Sequence, residues 1–404
     1  MKLAIDLRPL QIGHENRGIG AYLINLLHNL PIDDSTHILY LRYDTSNPLT
    51  DFDLPLPKNY SEVTFKKRGF SKKPLGMLQF ALNQITPKYL KLALHRPDVF
   101  LQTDYLLGAP RLPGTRVVVV CYDLIPLKFR TMYLPRWKHY WRMRHFSLKA
   151  RLRLSVRSIY YTFKYHMGVG LLKRSDKILS ISNTTKNDLV ELLGIKQSKI
   201  KVVYLAPSLR DSRPSNTISS LVKSLSLPYL LFIGGTDRRR KVYELVNAFN
   251  KLRARGVQCS LILAGNEFTI GSTRLDGKTS EAIRLSSFRN DIHMTGSVSE
   301  GDKYHLLENA SCFVYPSIYE GFGMPVVEAL SLATPVVAFR CAALEELAQD
   351  DIHFSESYDS QELATALEDV ITRKDAPRGK SIGVSGYSWK KTADQTWKEL
   401  AKVQ

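Results

Sequence analysis

The chain has 404 residues, of which 44% are hydrophobic, and its formal net charge is +19. This length is enough for two domains that each bury a core, which excludes a single small domain. The positive charge favours acidic partners: nucleic acid, an anionic membrane surface or a phosphorylated substrate. No uncharged run approaches the roughly 20 residues of a membrane span, and no signal peptide develops at the N-terminus. We therefore expect a cytoplasmic protein that contacts membrane only from the surface, on the cytoplasmic face.

The four cysteines, Cys121, Cys259, Cys312 and Cys341, are far apart and form neither a CxxC motif nor a Cys/His cluster. Such spacing predicts buried thiols in a reducing compartment and argues against a structural zinc site or a disulfide framework.

Short apolar runs rich in β-branched residues recur along the first half of the chain, and continuous runs of this kind are typical of strands buried on both faces of a parallel sheet. The predicted strands of this half are Leu3–Leu7, His37–Leu41, Val63–Phe65, Val99–Thr103, Val117–Cys121, Ile178–Ser182 and Ile200–Leu205. They indicate a βα-type domain.

A second series of apolar runs predicts a second domain of the same kind. Its predicted strands are Tyr229–Ile233, Cys259–Ala264, Asp291–Thr295, Cys312–Tyr315 and Pro335–Phe339. Between the two series, residues 206–228 contain prolines and several serines, which predicts an irregular linker with a domain boundary near residue 210. Apolar residues at helical spacing from Thr392 to Leu400 predict a terminal amphipathic helix.

A glycine pair follows the first predicted strand, where Gly18 and Gly20 open a helix. A lone GxG is compatible with a phosphate-contacting loop, a plain turn or a dinucleotide-binding loop. The full GxGxxG pattern is absent because Leu23 occupies its last position.

Tyr122 and Asp123 come directly after the predicted strand Val117–Cys121. Ligands bind beyond the carboxyl ends of strands in open α/β sheets, so this pair is a candidate for the active site. The alternative for Asp123 is a carboxylate that caps a turn.

A strongly basic and aromatic segment spans residues 128–174, and no Asp or Glu occurs between Asp123 and Asp176. Cations interleaved with Trp, Tyr and Phe suit the interface of an anionic bilayer. The same composition would bind nucleic acid, which we consider the weaker alternative, and a solvated basic face is the third reading.

Four consecutive cations, Arg238 to Lys241, follow the predicted strand Tyr229–Ile233 and the glycines Gly234 and Gly235. An Arg fork or a Lys at a strand-to-helix loop can neutralise a departing diphosphate. The alternative is a solvated basic loop.

Two carboxylates, Glu320 and Glu328, flank a predicted helix start with the sequence Gly321-Phe322-Gly323-Met324-Pro325. Pro325 suits the first helical position, and the glycines prevent the helix from extending backwards. A Gly-rich helix start attracts phosphate oxygens, while ionised carboxylates accept hydrogen bonds from sugar hydroxyls. The alternative is a pair of carboxylates that only stabilise the helix dipole.

This segment resembles the E-x7-E signature of glycosyltransferase family 4, whose members are retaining enzymes of the GT-B architecture. The resemblance implies that Glu320 contacts the donor sugar and Glu328 the ribose hydroxyls, with Gly321, Phe322 and Gly323 between them. The segment after Tyr229–Ile233 resembles the part of the family that holds the donor phosphates. The implied phosphate pair is Arg239 and Arg240, or Arg240 and Lys241 after a one-residue slip.

The resemblance extends over nearly the whole chain and adds further donor-binding residues: Gly18, Gly20, Gly235, Gly265 and Ser297. Many family members have His-Asp where this sequence has Tyr122 and Asp123. The resemblance therefore implies catalytic roles for Glu320, Arg240, Asp123 and Tyr122.

The fold that the resemblance implies is α/β: two Rossmann-like, doubly wound domains that face each other across a cleft. We expect an acceptor domain at residues 1–208, a nucleotide-sugar domain at 209–385 and a helix at 386–404 that returns to the first domain. Relatives of this kind need no bound metal, and no Asp-x-Asp occurs at a strand end in a suitable setting. We therefore expect no metal or other cofactor besides the nucleoside-diphosphate sugar substrate.

The predicted function is transfer of a hexose-type sugar, with retention of configuration, to a glycan or lipid-linked glycan acceptor in cell-surface polysaccharide or glycolipid assembly. The alternatives are a GT-B sugar-nucleotide epimerase, a nucleic-acid-binding protein that uses residues 128–174, and a protein that binds the donor without transferring it.

Overall fold

The computed structural model of the chain describes residues 1–12, 18–44, 54–66, 92–107, 112–135, 141, 147–209, 212–269, 272, 275–372, 384 and 386–404. Parts of the basic segment, residues 136–140 and 142–146, lie outside these ranges. The chain divides into two compact units: residues 1–205 with 389–404, and residues 206–388. The boundaries expected from sequence, 208 and 386, each differ from these by three residues.

The first unit is built on a parallel sheet in the order β3-β2-β1-β4-β5-β6-β7. Its strands are β1 (Lys2–Asp6), β2 (His37–Asp44), β3 (Tyr60–Lys66), β4 (Val99–Gln102), β5 (Arg116–Cys121), β6 (Lys177–Ser180) and β7 (Ile200–Val202). Apart from the terminal helix described below, its α-helices are α1 (Gly18–Asn29), α2 (Ile125–Lys128), α3 (Arg130–Tyr133), α4 (Leu148–Arg174) and α5 (Asn183–Leu193). Each strand overlaps a predicted one.

The second unit is also built on a parallel sheet, in the order β10-β9-β8-β11-β12-β13. Its strands are β8 (Tyr229–Ile233), β9 (Ser260–Ala264), β10 (Ile292–Gly296), β11 (Cys312–Tyr315), β12 (Val336–Phe339) and β13 (Ile352–Ser355). Its helices are α6 (Asn216–Ser224), α7 (Val242–Ala254), α8 (Gly277–Leu285), α9 (Glu300–Asn309), α10 (Met324–Ser331), α11 (Ala342–Ala348) and α12 (Ser360–Thr372).

The sheets have buried cores because their strands carry apolar side chains on both faces; β4, β9 and β11, for example, are buried along their whole length. The four cysteines are buried free thiols, as predicted. Strand β13 was not predicted.

The linker prediction for residues 206–228 was wrong in part, because α6 occupies Asn216–Ser224. The helix begins after Ser215, whose hydroxyl accepts a hydrogen bond from the Ile218 amide, a standard N-cap. Ser215 is itself held by α9, since the Asp302 Oδ1 atom accepts from the Ser215 amide at 2.6 Å.

The terminal helix α13 (Trp389–Val403) packs on the first unit. The Thr392 hydroxyl donates to the Tyr204 carbonyl at 2.6 Å, and Lys177 forms an ion pair with buried Glu399 at 3.3 Å. The Trp389 ring lies edge-on to Tyr22 of α1, with 6.1 Å between ring centroids.

Backbone contact fixes the ends of β8, β9 and β10. The Gly234 amide donates to Ala264, and the Gly265 amide donates to Gly296 at 2.8 Å. A Cβ atom added at Gly265, whose φ is 149°, would lie only 2.0 Å from the Gly234 carbonyl oxygen. Glycine is therefore required where these two loops meet.

We predict that Gly265→Ala lowers the stability of the second unit by about 1–3 kcal/mol, because a methyl group there forces the loops apart. The measurement is the urea midpoint of the full chain. Gly277→Ala is the matched control, since no atom lies within 4 Å of an added Cβ at Gly277. Equal midpoints for the two variants would contradict the prediction.

Candidate active site

The candidate site lies in the second unit, where the strand order reverses between β8 and β11. These neighbouring strands lead into helices through two loops, residues 234–241 and 316–323. Such a switch point leaves a crevice at the carboxyl ends of the strands, the usual ligand site of open α/β sheets. The Ile318 amide donates to the Arg239 carbonyl at 3.0 Å, so the two loops are directly joined.

Glu320 lies buried on the loop before α10, with 7% of its surface exposed. Its Oε1 atom accepts hydrogen bonds from the Tyr315 hydroxyl at 2.8 Å and the Ser317 hydroxyl at 2.9 Å. Its Oε2 atom accepts from the Arg239 guanidinium at 3.0 Å. Four donors or charges thus surround one carboxylate, once the more distant Arg240 Nε at 3.5 Å is included.

Arg239 and Arg240 reach Glu320 from a short 3-10 helix, Arg238–Arg240, which Asp237 caps. Burial disfavours the Arg239 charge, but Glu320 and the other neighbouring acidic groups together outweigh burial and hold the arginine pKa above its ordinary value. Burial also disfavours the Arg240 charge, and the acidic groups Tyr315, Glu320 and Asp237 together raise the pKa of Arg240 above its ordinary value. Both guanidinium groups therefore stay charged inside the site.

The Arg239 guanidinium has unused hydrogen-bonding capacity. Within the described part of the chain, its buried Nε and Nη1 atoms have no hydrogen-bond partner, although Nη1 lies 3.7 Å from Asp237. A planar guanidinium can serve a second oxygen acceptor in this geometry. An anionic ligand oxygen would supply one.

Lys241 points elsewhere. Its ammonium group donates to the Tyr358 carbonyl at 3.0 Å and lies 5.6 Å from the centre of the Tyr358 ring. Of the two phosphate pairs left open by the sequence, the structure brings Arg239 and Arg240 together at Glu320.

Glu267, which the sequence did not single out, supports the other side of the loop. The amide and hydroxyl of Thr236 both donate to its Oε2 atom, the hydroxyl at 2.6 Å. A Cβ at predicted residue Gly235 would lie 3.1 Å from the same oxygen. The bare Gly235 backbone therefore fits against this carboxylate.

The start of α10 follows the predicted pattern with a one-residue difference: the helix begins at Met324, so Pro325 takes its second position. Gly323 precedes it with φ 108°, and an added Cβ there would lie 2.5 Å from Leu344. Gly321 and Phe322 form the loop before it; the buried Phe322 ring packs edge-on against Tyr387 at 6.2 Å. The free amides of a helix start attract anions.

Glu328 is the second predicted carboxylate and lies buried on α10. Its Oε1 atom forms an ion pair at 2.9 Å with Lys303 of α9, which also contacts Glu300 at 2.9 Å. Burial raises the pKa of Glu328, and Lys303 counteracts part of this rise. Lys303 was not predicted, because it lies on a different helix and its own sequence surroundings are unremarkable.

The remaining predicted donor residues of this unit lie at strand ends. Gly265 follows β9, where it contacts the loop after β8, and exposed Ser297 follows β10. In the first unit, Gly18 is exposed at the first position of α1 and Gly20 is buried at the third.

Tyr122 and Asp123 lie at the carboxyl end of β5, as predicted. The Tyr122 ring is edge-on to Tyr22 at 5.5 Å, and its buried hydroxyl has no hydrogen-bond partner within the described residues. Burial raises the pKa of this phenol well above its ordinary range. The Asp123 Oδ1 atom accepts from the Ile125 amide at 3.0 Å, which is the turn-capping contact considered as its alternative role.

The described residues contain neither a metal-binding cluster nor a membrane-spanning helix. No group of three or more His, Cys, Asp or Glu side chains there could hold a metal ion. No helix there combines the length and the apolar content needed to cross a membrane.

Residues 216–383 match the family model described as "Glycosyl transferases group 1". Among curated proteins, the serotype-specific mannosyltransferase WbdA of Escherichia coli is 22% identical over 92% of this chain and 44% of its own length. O-antigen chain mannosyltransferase B of Escherichia coli is 27% identical over 54% of this chain and 58% of its own length. The chain thus spans about half the length of the curated relatives that it matches.

Two solved structures resemble this protein over nearly its full chain. Anabaena Alr3699/HepE in complex with UDP and glucose matches with a TM-score of 0.68 and 17% identity, covering 99% of both chains. Sucrose-phosphate synthase from Thermosynechococcus elongatus matches with a TM-score of 0.69 and 15% identity, covering 100% of this chain and 99% of its own. The fold is therefore the α/β fold of GT-B glycosyltransferases, with two Rossmann-like units, as predicted. The matched family model and relatives agree with the predicted enzyme class, a glycosyltransferase.

We predict that Lys303→Met destabilises the protein by about 3–5 kcal/mol at neutral pH, because it leaves the Glu328 charge buried and unpaired. A carboxyl group whose folded pKa is raised contributes stability below its ordinary value, 4.5, and loses it as the pH rises through the folded pKa. Loss of Lys303 raises that pKa further. The difference in unfolding free energy from the wild type should therefore be larger at pH 7 than at pH 5.

The measurement is urea unfolding at both pH values. Lys390→Met is the control, since Lys390 pairs with Asp394 on the surface and such pairs contribute about 0–1 kcal/mol. A loss for Lys303→Met that does not depend on pH would rule out the ion pair as its cause.

Proposed function

We propose that this protein is a retaining glycosyltransferase of the family 4 type, which moves a hexose from a nucleoside-diphosphate sugar to a glycan or lipid-linked glycan. The observation that carries the proposal is the buried Glu320 carboxylate, held by Arg239 and Arg240 beside a glycine-rich helix start. A carboxylate for hydroxyl groups and two permanent cations for phosphates thus lie in one crevice.

The roles follow from the chemistry of each group. Arg239 and Arg240 neutralise the diphosphate, together with the amides of Gly321 to Gly323. Glu320 accepts hydrogen bonds from hydroxyls of the transferred sugar. Glu328, one turn into α10, accepts those of the ribose, and the Lys303 charge favours the ionised form of its carboxyl group.

The proposed reaction needs no metal. The bond between the anomeric carbon and the diphosphate oxygen breaks, and its electron pair leaves with the diphosphate. The acceptor hydroxyl oxygen bonds to the anomeric carbon on the same face, and its proton passes to the departing diphosphate. Catalysis in this scheme consists of positioning and charge stabilisation.

Mannose is the hexose that we propose to test first, because the names of several relatives describe mannosyltransferases. Glucose is the second, since a structural neighbour was solved with UDP-glucose. The names of two of these relatives also refer to an O-antigen chain, which supports an acceptor in polysaccharide assembly.

Tyr122 and Asp123 are proposed to act on the acceptor side. Tyr122 carries a buried hydroxyl without a partner in the described chain, so it can donate to a ligand. The Asp123 Oδ1 atom accepts a hydrogen bond from the Ile125 amide, and the carboxylate is proposed to act on the acceptor hydroxyl either as a base or to orient it.

We predict that Glu320→Gln lowers kcat/KM for sugar transfer by at least about 100-fold, because the neutral amide loses the charge that orients the arginines and the sugar. The assay follows release of nucleoside diphosphate from GDP-mannose and UDP-glucose, with and without a glycan acceptor. Glu308→Gln, on an exposed side chain of α9, is the control. Full activity of the Glu320 variant would refute its role, while release that needs no acceptor would favour an epimerase.

A second prediction separates the two possible phosphate pairs. Arg240→Gln should weaken donor binding by about 10-fold or more, since a charge-assisted contact to phosphate is lost. Lys241→Gln should change it less than about 3-fold, because Lys241 contacts Tyr358 instead. Calorimetric titration with nucleoside diphosphate measures both. Weak binding by both variants would favour Arg240 and Lys241 as the pair. Weak binding by Lys241→Gln alone would contradict the role of Arg240.

A further inference from the structure

Helix α4 (Leu148–Arg174) packs on the protein differently along its length: its second half buries Tyr165, Leu171 and Leu172, whereas its first half buries no large apolar side chain. The buried residues of the first half are Ser155 and Ser158, and Gly168 is buried among the larger side chains of the second half. The Ser158 hydroxyl donates to the Pro135 carbonyl at 2.5 Å, and a Cβ at Gly168 would lie 2.9 Å from the Tyr105 carbonyl. An ordinary surface helix instead turns its large apolar side chains towards the core.

Six large apolar side chains within residues 148–167 of α4 face outward. They are spaced by three or four residues, so they lie on one side of the helix over about 29 Å. We call them the outer stripe: Leu148, Leu152, Val156, Ile159, Phe163 and Met167, which are between 43% and 62% exposed. Such a continuous exposed apolar face marks an interaction surface.

Cations border the outer stripe along one side. Lys149, Arg153 and Arg157 are exposed, and Lys164 continues the row. No Asp or Glu occurs anywhere between residues 124 and 175 to balance them. The surface is therefore both apolar and strongly positive.

The charge decides which partner fits. Two copies of α4 packed stripe against stripe would bring uncompensated cations together, which disfavours self-association. Nucleic acid would use the cations and aromatic platforms but would gain nothing from exposed Leu, Val and Ile side chains. A bilayer with anionic headgroups satisfies both features at once.

We propose that the outer stripe of α4 is a membrane-docking surface, with the helix parallel to the plane of an anionic bilayer. The apolar side chains enter the boundary between headgroups and acyl chains, while Lys149, Arg153 and Arg157 contact lipid phosphates. This docking does not depend on the proposed reaction, and its test needs no sugar donor.

The experiment is co-sedimentation of the full-length protein with vesicles of phosphatidylcholine, with and without phosphatidylglycerol. We expect binding that requires phosphatidylglycerol and weakens at high salt. The triple variant Leu152→Ser, Ile159→Ser and Phe163→Ser should bind at least about 10-fold more weakly, because three inserting side chains are lost. A second variant, Lys149→Gln, Arg153→Gln and Arg157→Gln, should lose the dependence on phosphatidylglycerol.

The matched control changes three exposed leucines outside α4: Leu94→Ser, Leu192→Ser and Leu285→Ser. Because all these side chains are exposed, circular dichroism and thermal unfolding should match the wild type. Equal vesicle binding by the α4 and control triples would overturn the proposal. So would a wild-type dimer in sedimentation velocity that the α4 triple abolishes, or α4-dependent binding of a labelled oligonucleotide without vesicle binding.

Discussion

The burial of one carboxylate, Glu320, constrains the whole candidate site. A buried charge is tolerated only when opposite charges and hydrogen bonds compensate it. The compensation comes from Arg239, which lies 81 positions earlier in the chain and ends the loop of a different strand. The loops after β8 and β11 are therefore held together at the point where the strand order reverses. The glycines at 234 and 265 let the neighbouring backbones come close enough for this arrangement.

The same charge balance would let the proposed donor site accept an anion without rearranging its side chains. Glu320 engages one edge of the Arg239 guanidinium and leaves other donors of that group without partners in the described chain. A diphosphate would then share the arginines with Glu320 rather than displace it. Lys303 compensates the Glu328 charge in the same way, because burial alone would favour the neutral form of that carboxyl group. Both carboxylates depend on a cation supplied by another element.

In the first unit, the arrangement of α4 depends on packing and exposure rather than on a buried charge. Gly168 is required on its inner face because the neighbouring backbone at Tyr105 lies very close. The outer stripe nevertheless leaves six large apolar side chains outside, bordered by cations, while Tyr165, Leu171 and Leu172 are buried. A sequence reader sees only an aromatic and basic segment, since composition does not tell which residues the fold turns inward. The distinction between a solvated face and a docking surface comes from that orientation.

The sequence by itself determined the two parallel sheets, because strands buried on both faces must be continuously apolar, and it located the start of α10 through Gly323 and Pro325. It missed β13, an edge strand whose sequence, Ile352-His353-Phe354-Ser355, mixes polar and apolar residues, and it took α6 for linker. Only the tertiary structure decided that Arg239 and Arg240 meet Glu320, and that Lys303 pairs with Glu328. The physical reason is that local patterns record burial and backbone geometry, whereas charge pairs join residues far apart in sequence and leave no periodic trace.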